Sequence, residues 1–419
     1  MTRTHRPRKL LAAGGLAALI LALAACGQDY PNSTFNHHTE YNTLIDALWD
    51  KLLFWGTVVF VLVEALLVYV MFKYRRREGG PAPKHVHGNT TLEIMWTVAP
   101  ALILVFIAVP TVQTIFRTQA KAAPNSLEVE VIGHQWWWEF RYPQYGIVTA
   151  NELYLPIGHT ANFTLRTRDV VHSFWIPQMG GKRDLISYNK PNYVWFTPDS
   201  ALASSAWNGF CAEYCGASHA NMKFRVFTVT PAEFQAWAQH QKTPAAFGAV
   251  AGATPHRAPG ADTTPPPPPP PQLAAVQPAA GYISFPREKM DVAMVPATPT
   301  PEGLTFPDNL VGDAERGRQI YSSQSCIGCH AIAGNPVSFS EIGPNLTHVG
   351  SRTTIAAGLF PNDTRHLALW IKNSRAMKPG SIMPTMGKNQ YDPITKTRLT
   401  IGLDDQQIAD VVAYLQALK

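Results

Sequence analysis

The chain has 419 residues, 46% of them hydrophobic and 15% charged, with a formal net charge of +6. That is enough chain for two or three domains with real cores, and the composition excludes a disordered or fibrous protein. Arg3, Arg6, Arg8 and Lys9 carry +4 of the +6, all within residues 1–26, so no folded segment has the basic excess of a nucleic-acid binder.

In residues 1–26 the basic stretch is followed by an apolar run from Leu10 to Ala25 and then by Cys26. The pattern reads as a secretory signal. The string Leu23-Ala24-Ala25-Cys26 resembles a bacterial lipoprotein signal, in which Cys26 becomes the lipidated first residue; an uncleaved anchor with an incidental Cys26 is the other reading. Within residues 27–120 lie two apolar stretches, 49–72 and 92–116, each long enough to cross a bilayer, and together they predict a transmembrane hairpin. Lys73, Arg75, Arg76, Arg77 and Lys84 lie between them, so the connection belongs in the cytoplasm and everything after about residue 117 lies outside. Glu64 falls inside the first stretch, where a carboxylate facing lipid is costly, and is expected to face another subunit.

Residues 121–241 alternate like strands, with Leu127, Val129 and Val131 set against Glu128 and Glu130, and predict an all-β sandwich or barrel closed by a short helix near 231–241. Residues 242–306 are rich in Ala, Pro and Thr and include the run Pro265 to Pro271, so a semi-rigid tether is expected there, not a packed domain. Residues 307–419 predict a small, mainly α domain with helices over 313–322, 364–373 and 404–418.

Five cysteines cannot all pair with one another. Cys326, Cys329 and His330 form C-x-x-C-H, the attachment pattern of c-type haem, in which two thiols add to the vinyl groups and the histidine ligates iron; a redox disulfide is the alternative. Met377, Met383 and Met386 compete for the second axial position. Met383 is preferred because Pro379-Gly380 and Pro384 flank it in a stretch that is neither helix nor strand. The string Gly343-Pro344-Asn345-Leu346 and the terminal segment Val412-Ala413-Tyr414-Leu415 resemble class I cytochromes c.

The other pair sits in Cys211-x-Glu213-x-Cys215-x-x-x-His219-x-x-Met222, with His172 upstream. Two bridging thiolates, each copper with a terminal histidine and a weak axial ligand, would hold a dinuclear centre suited to fast electron transfer. A closed zinc site has no use for Met222, and a Cys211–Cys215 disulfide leaves His219 and Met222 without a purpose.

The hairpin, the string Gly133-His134-Gln135-Trp136-Trp137-Trp138, the string Val171-His172-Ser173-Phe174 and the cysteine loop together resemble subunit II of haem-copper cytochrome c oxidases, over about residues 40–240. The tail resembles the branch with a fused cytochrome c domain. The resemblance implies a cupredoxin-like CuA domain with Cys211 and Cys215 as bridges, His172 and His219 as terminal ligands, and Met222 and the Glu213 carbonyl as axial ligands. It also implies Trp136 as the aromatic where electrons enter; a membrane-interface or core tryptophan is the plainer reading. Glu213 would be a ligand of a magnesium site, with Asp184 in the neighbouring segment. That segment continues Leu185-Ile186-Ser187-Tyr188-Asn189, without the arginine the family usually has after Asp184, so the family's contact with haem propionates is not carried over through it. Glu93 would mark the mouth of a proton pathway, although Thr90-Thr91-Leu92-Glu93 also reads as a capping box.

The resemblance further implies that electrons pass from the haem c to CuA and on to haem in subunit I, where oxygen is reduced to water with proton pumping. Implied partners are subunit I with its haem and CuB, subunit III, a cytochrome c or other donor, and the bacterial plasma membrane, with both soluble domains on the periplasmic side. Two alternatives stand beside it: the CuA subunit of a nitric oxide reductase, and a copper-binding or redox-sensing lipoprotein, which would need neither Glu93 nor paired spans.

Overall fold

The computed structural model describes residues 32–75, 79–80, 87–122, 124–245, 247, 267–282, 284–290 and 298–419. The expected signal and lipidated Cys26 lie outside the described residues, as do Arg76, Arg77 and Lys84.

Two long helices open the chain, α1 (Glu40–Lys73) and α2 (Thr90–Gln119), and both are long and apolar enough to cross a membrane. Their apolar side chains face outward along most of their length, Phe72 being 78% and Phe116 75% exposed, a surface that suits hydrocarbon and not water. Trp55 stacks on Phe106 between them with ring centroids 6.2 Å apart. The cap of α2 corrects the sequence reading. The N-cap is Asn89, whose side chain accepts from the Leu92 N–H at 3.2 Å, so Thr90 and Glu93 lie inside the helix and form no capping box there.

The start of α1 is fastened to the domain that follows. The Thr39 side chain caps the helix, accepting from Asn42 N at 3.2 Å. The Asn42 amide donates to the Pro177 carbonyl at 3.2 Å, and Tyr41 is buried edge-on against Phe196. At the other helix, Trp195 Nε1 donates to the Arg117 carbonyl at 3.3 Å. The β-domain therefore stands directly on the ends of both helices.

That domain is a sandwich of two five-stranded sheets. The first has the order β3-β2-β1-β5-β8, built from β1 (Leu127–His134), β2 (Trp137–Tyr142), β3 (Ile147–Ala150), β5 (Ala161–Thr167) and β8 (Asn192–Phe196). The second has the order β4-β10-β9-β6-β7, built from β4 (Glu152–Pro156), β6 (His172–Trp175), β7 (Arg183–Leu185), β9 (Ser205–Cys211) and β10 (Lys223–Val229). The period-2 pattern of β1 buries Leu127, Val129 and Val131. They meet an aromatic core in which Phe174 stacks on Phe224 at 5.1 Å and Trp138 packs against both. Helix α3 (Pro231–Gln241) closes one end, started by a true capping box between Thr230 and Glu233, and its Trp237 stacks on Tyr154 at 4.5 Å.

The stretch expected to be a semi-rigid tether is packed in part of its described residues. Leu273, within the short helix α4 (Pro271–Ala274), is fully buried, and its carbonyl accepts from the Gln235 amide. Phe285 is buried against Phe227 at 4.7 Å, and its N–H donates to the Tyr154 hydroxyl at 3.0 Å. Each of these anchors removes a large hydrophobic surface from water and so holds its part of the described segment against the sandwich.

The last domain holds α5 (Ala314–Ser323), α6 (Thr364–Met377) and α7 (Asp405–Ala417). Helices α5 and α7 cross closely because Gly317 has no side chain: a Cβ there would overlap the Asp410 carbonyl. Asp410 in turn accepts from Asp313 N at 2.8 Å and from two Arg316 nitrogens at 3.0 Å. The fold is thus the multidomain membrane architecture expected: two apolar helices, a cupredoxin-like sandwich and a helical cytochrome-like domain.

Candidate metal and haem site

Strand β9 ends at Cys211 and β10 begins just after Met222, so the cysteine loop is a connection between two paired strands, closed at its base by the Cys211 N–H donating to the Met222 carbonyl at 3.0 Å. Strand β6 lies on the other side of β9, with Phe174 opposite Cys211, and this pairing delivers His172 to the same end of the sheet. The ligand atoms converge. Cys211 Sγ and Cys215 Sγ are 3.8 Å apart, His172 Nδ1 is 3.8 Å from Cys211 Sγ, and His219 Nδ1 is 3.7 Å from Cys215 Sγ. Met222 Sδ lies 3.9 Å from Cys215 Sγ, and the Glu213 carbonyl oxygen 3.3 Å from Cys211 Sγ.

At 3.8 Å the sulfurs are far beyond the roughly 2 Å of a disulfide. Each sulfur has its own imidazole, and each end of the pair has a weak axial donor. That two-fold arrangement is what two copper ions bridged by thiolates require, and it uses Met222, which a closed zinc site does not. A hydrogen bond from Cys215 holds the Cys211 thiol far below its ordinary range, to about 3, and the same contact pushes Cys215 up.

Two supports were not read from the sequence. Asp169 Oδ1 lies 2.8 Å from His172 Nε2, so the ring presents Nδ1 to Cys211; burial raises the Asp169 carboxyl, but the His172 contact and two backbone N–H groups hold it below its usual range. The signal was present as an acid three residues before the histidine. The other support is the Cys215 carbonyl, which accepts from both Gln135 Nε2 at 2.8 Å and Trp136 Nε1 at 2.9 Å. Gly216, with φ +108, lets the indole come this close, since a Cβ there would meet Trp136 Cζ2 at 3.0 Å.

Cys326 and Cys329 sit on a tight turn at the end of α5, with the His330 N–H donating back to the Cys326 carbonyl at 3.0 Å. All three line a large, mostly apolar cavity. His330 Nδ1 donates to the Pro344 carbonyl at 2.8 Å, which leaves Nε2 as the ring's ligand atom, and burial lowers the imidazole pKa, favouring the neutral ring that an iron ligand needs. Gly343 is what lets this loop close over the ring: a Cβ there would lie 2.7 Å from His330 Cε1. Burial pushes the Cys326 thiol up to about 11, unlike the copper-loop thiols. Met383 and Met386 both line the cavity, and Met377 is buried in the domain core. An apolar void with two thiols, a pinned imidazole and a thioether on its walls fits a covalently held haem.

The cavity does not belong to one domain. Gln135, Trp136 and Trp137 of the sandwich form part of its wall, together with Asn151. Trp136, the expected electron entry, is half-buried at this junction, with its ring against the haem cavity and its Nε1 on Cys215. Glu93 is exposed in the first turn of α2. Asp184 lies on β7 opposite Ser173, and neither it nor the Glu213 carboxylate joins the group of His172, Cys211 and Cys215, whose ligand atoms lie within 4.8 Å of one another.

Three family models match in chain order: Cytochrome C oxidase subunit II, transmembrane domain, over residues 36–114; Cytochrome C oxidase subunit II, periplasmic domain, over 146–229; and Cytochrome c over 314–419. Cytochrome c oxidase subunit 2 of Alkalihalophilus pseudofirmus is 30% identical over 368 residues, 86% of this chain and 83% of that one. The protein of the same description from Bacillus sp. (strain PS3) is 31% identical over 80% of each chain. That of Bacillus subtilis is 30% identical over 88% of this chain and 90% of its own. Fold and site define an electron-transfer protein that combines a copper domain with a haem domain on a membrane hairpin. The chain belongs to the cytochrome c oxidase subunit 2 family, and is an oxidoreductase component of a haem-copper oxidase that assembles with other oxidase subunits.

Proposed function

We propose that this chain is the electron-entry subunit of a cytochrome c oxidase of the bacterial plasma membrane, taking electrons from a cytochrome c or similar donor at a covalent haem and delivering them through a dinuclear CuA centre to subunit I. Oxygen reduction and proton pumping take place in subunit I, with subunit III beside it. When bound, the haem and the two coppers supply one-electron couples that change oxidation state with little movement of their ligands.

The chain's own residues supply the rest. Cys326 and Cys329 would hold the haem covalently, and His330 and Met383 would ligate its iron. Cys211, Cys215, His172, His219, Met222 and the Glu213 carbonyl would hold the coppers. Trp136 links the two, beside Gln135: its ring touches both the haem cavity and, through Nε1 at 2.9 Å, the carbonyl of Cys215. That observation carries the proposal. Glu93, at the start of α2, is assigned to the mouth of a proton pathway, and the Glu213 carboxylate with Asp184 to a magnesium site against subunit I. Cys26 would be the lipid anchor of the mature chain.

The reading is tested by the spectrum of Cys211→Ser. The variant is expected to lose the mixed-valence two-copper signal and keep a low-spin haem with histidine and methionine ligands. A two-copper signal that survives the substitution contradicts the ligand assignment.

A further inference from the structure

Three consecutive residues of the haem domain grip the copper domain, each in a different way. Lys378 is 4% exposed, and its Nζ donates to the Trp136 carbonyl at 2.6 Å and to Ala356 at 3.3 Å. The Pro379 carbonyl accepts from the Ser218 hydroxyl, one residue before His219. Gly380, with φ +82, lies against the indole: a Cβ there would sit 2.7 Å from Trp136 Cη2 and Cζ3. Three residues later comes Met383 on the wall of the haem cavity.

Burying a lysine costs free energy even when it is hydrogen-bonded, and a residue that only packed would serve stability better as an apolar side chain. Lys378 Nζ is aimed at the backbone of Trp136, whose ring touches both redox sites. The glycine has the complementary role: its missing side chain is what allows the haem-side loop to reach the ring. Gly216 does the same from the copper side, so Trp136 is held between two glycines, one from each domain.

From this we infer that Lys378-Pro379-Gly380 is a docking clasp, a positioning element that fixes the haem cavity against Trp136 and the copper loop. It rests on the proposed electron path through Trp136 and adds to it the device that sets the spacing. Lys378 and Gly380 are positioning residues: they act through Trp136 and touch neither iron nor copper.

The test uses the complete oxidase with both centres loaded and compares Lys378→Met, Gly380→Ala and Trp136→Phe. Haem is reduced rapidly with a light-triggered reductant and electron arrival at copper is followed; in parallel, amide hydrogen exchange is measured over residues 216–222 and at Thr353 and Thr354. Lys378→Met is expected to slow the haem-to-copper step about tenfold or more, since a misplacement on the order of 1 Å in a positioned pair can cost up to about a hundredfold. It should also raise exchange at those amides and leave the absorption spectra and potentials of both centres unchanged. Gly380→Ala should do the same, and it decides the matter if Lys378→Met does not fold. Wild-type rates and wild-type exchange in the folded variant overturn the clasp. Should Trp136→Phe keep the wild-type rate while Lys378→Met is slow, the clasp stands and the path through the indole fails. Should only Trp136→Phe be slow, the clasp fails and the path stands.

Discussion

The copper loop and the haem cavity are each built around a cysteine pair, but the polypeptide completes only the first. At the copper loop the donors hang from paired strands, the sulfurs and imidazole nitrogens already lie 3.7–3.8 Å apart, and Asp169 and the Cys215 carbonyl interactions fix their directions. At the haem site the donors sit on turns and irregular loops around a void that the chain alone does not fill. The copper donors hang from the strands of a packed sandwich core, whereas a bound haem would itself form a large part of its own domain's core.

The largest expected effect follows from that difference. Replacing Cys326 and Cys329 by serine should abolish cooperative melting of residues 307–419, because the cavity would stand empty, and leave the two-copper signal in place. Calorimetry with copper spectroscopy on the same sample measures both, and a haem-free domain that melts at the wild-type temperature would break the comparison. On the copper side, Asp169→Ala should lower copper affinity about 10- to 100-fold, the usual loss when the partner of a ligating histidine is removed. Copper competition titration measures it, and an unchanged affinity would mean the strands alone fix His172.

The two regions meet across a polar seam. Buried Glu152 accepts from Thr353 N and Oγ1, both at 2.6 Å, and Arg225 donates to the Gly358 carbonyl at 2.8 Å. Glu152→Ala leaves those donors unpaired and should weaken docking by about 1–3 kcal/mol, seen as faster exchange of the Thr353 and Thr354 amides. A smaller effect is pH dependence. Burial lowers His348 to about 4, and also lowers His240, whose ring lies 4.6 Å away. The docked form therefore binds fewer protons than the separated one, and docking should be full above the ordinary histidine value of 6.5 and be lost as pH falls toward 4. Glu152, held above its ordinary value by burial, opposes this over the same range, so Glu152→Gln should steepen the loss. Exchange profiles between pH 7 and 4 check the sign.

Much of this was legible in the chain. The C-x-x-C-H string and the C-x-E-x-C-x-x-x-H-x-x-M loop mark candidate donors because short loops must carry donors at fixed spacing, and the two apolar stretches mark the hairpin by length alone. The seam was not legible. Glu152 meets Thr353 across 201 residues and Lys378 meets Trp136 across 242, and no periodicity records a contact of that range. The proline-rich segment misled for a related reason. Composition reports local stiffness, and the packing of that segment rests on residues such as Leu273 and Phe285, whose partners lie elsewhere in the sandwich. At α2 the pattern Thr-x-x-Glu lost to the neighbouring Asn89, a stronger cap one residue earlier.

The central claim is that the copper loop and the haem cavity are joined through Trp136. Its most direct test is the rate at which haem reoxidises into copper in the complete oxidase bearing Trp136→Leu, with both centres shown intact by their spectra. The rate should fall by about tenfold or more, because the indole contact to both walls is gone. A rate equal to that of the wild type would contradict the claim.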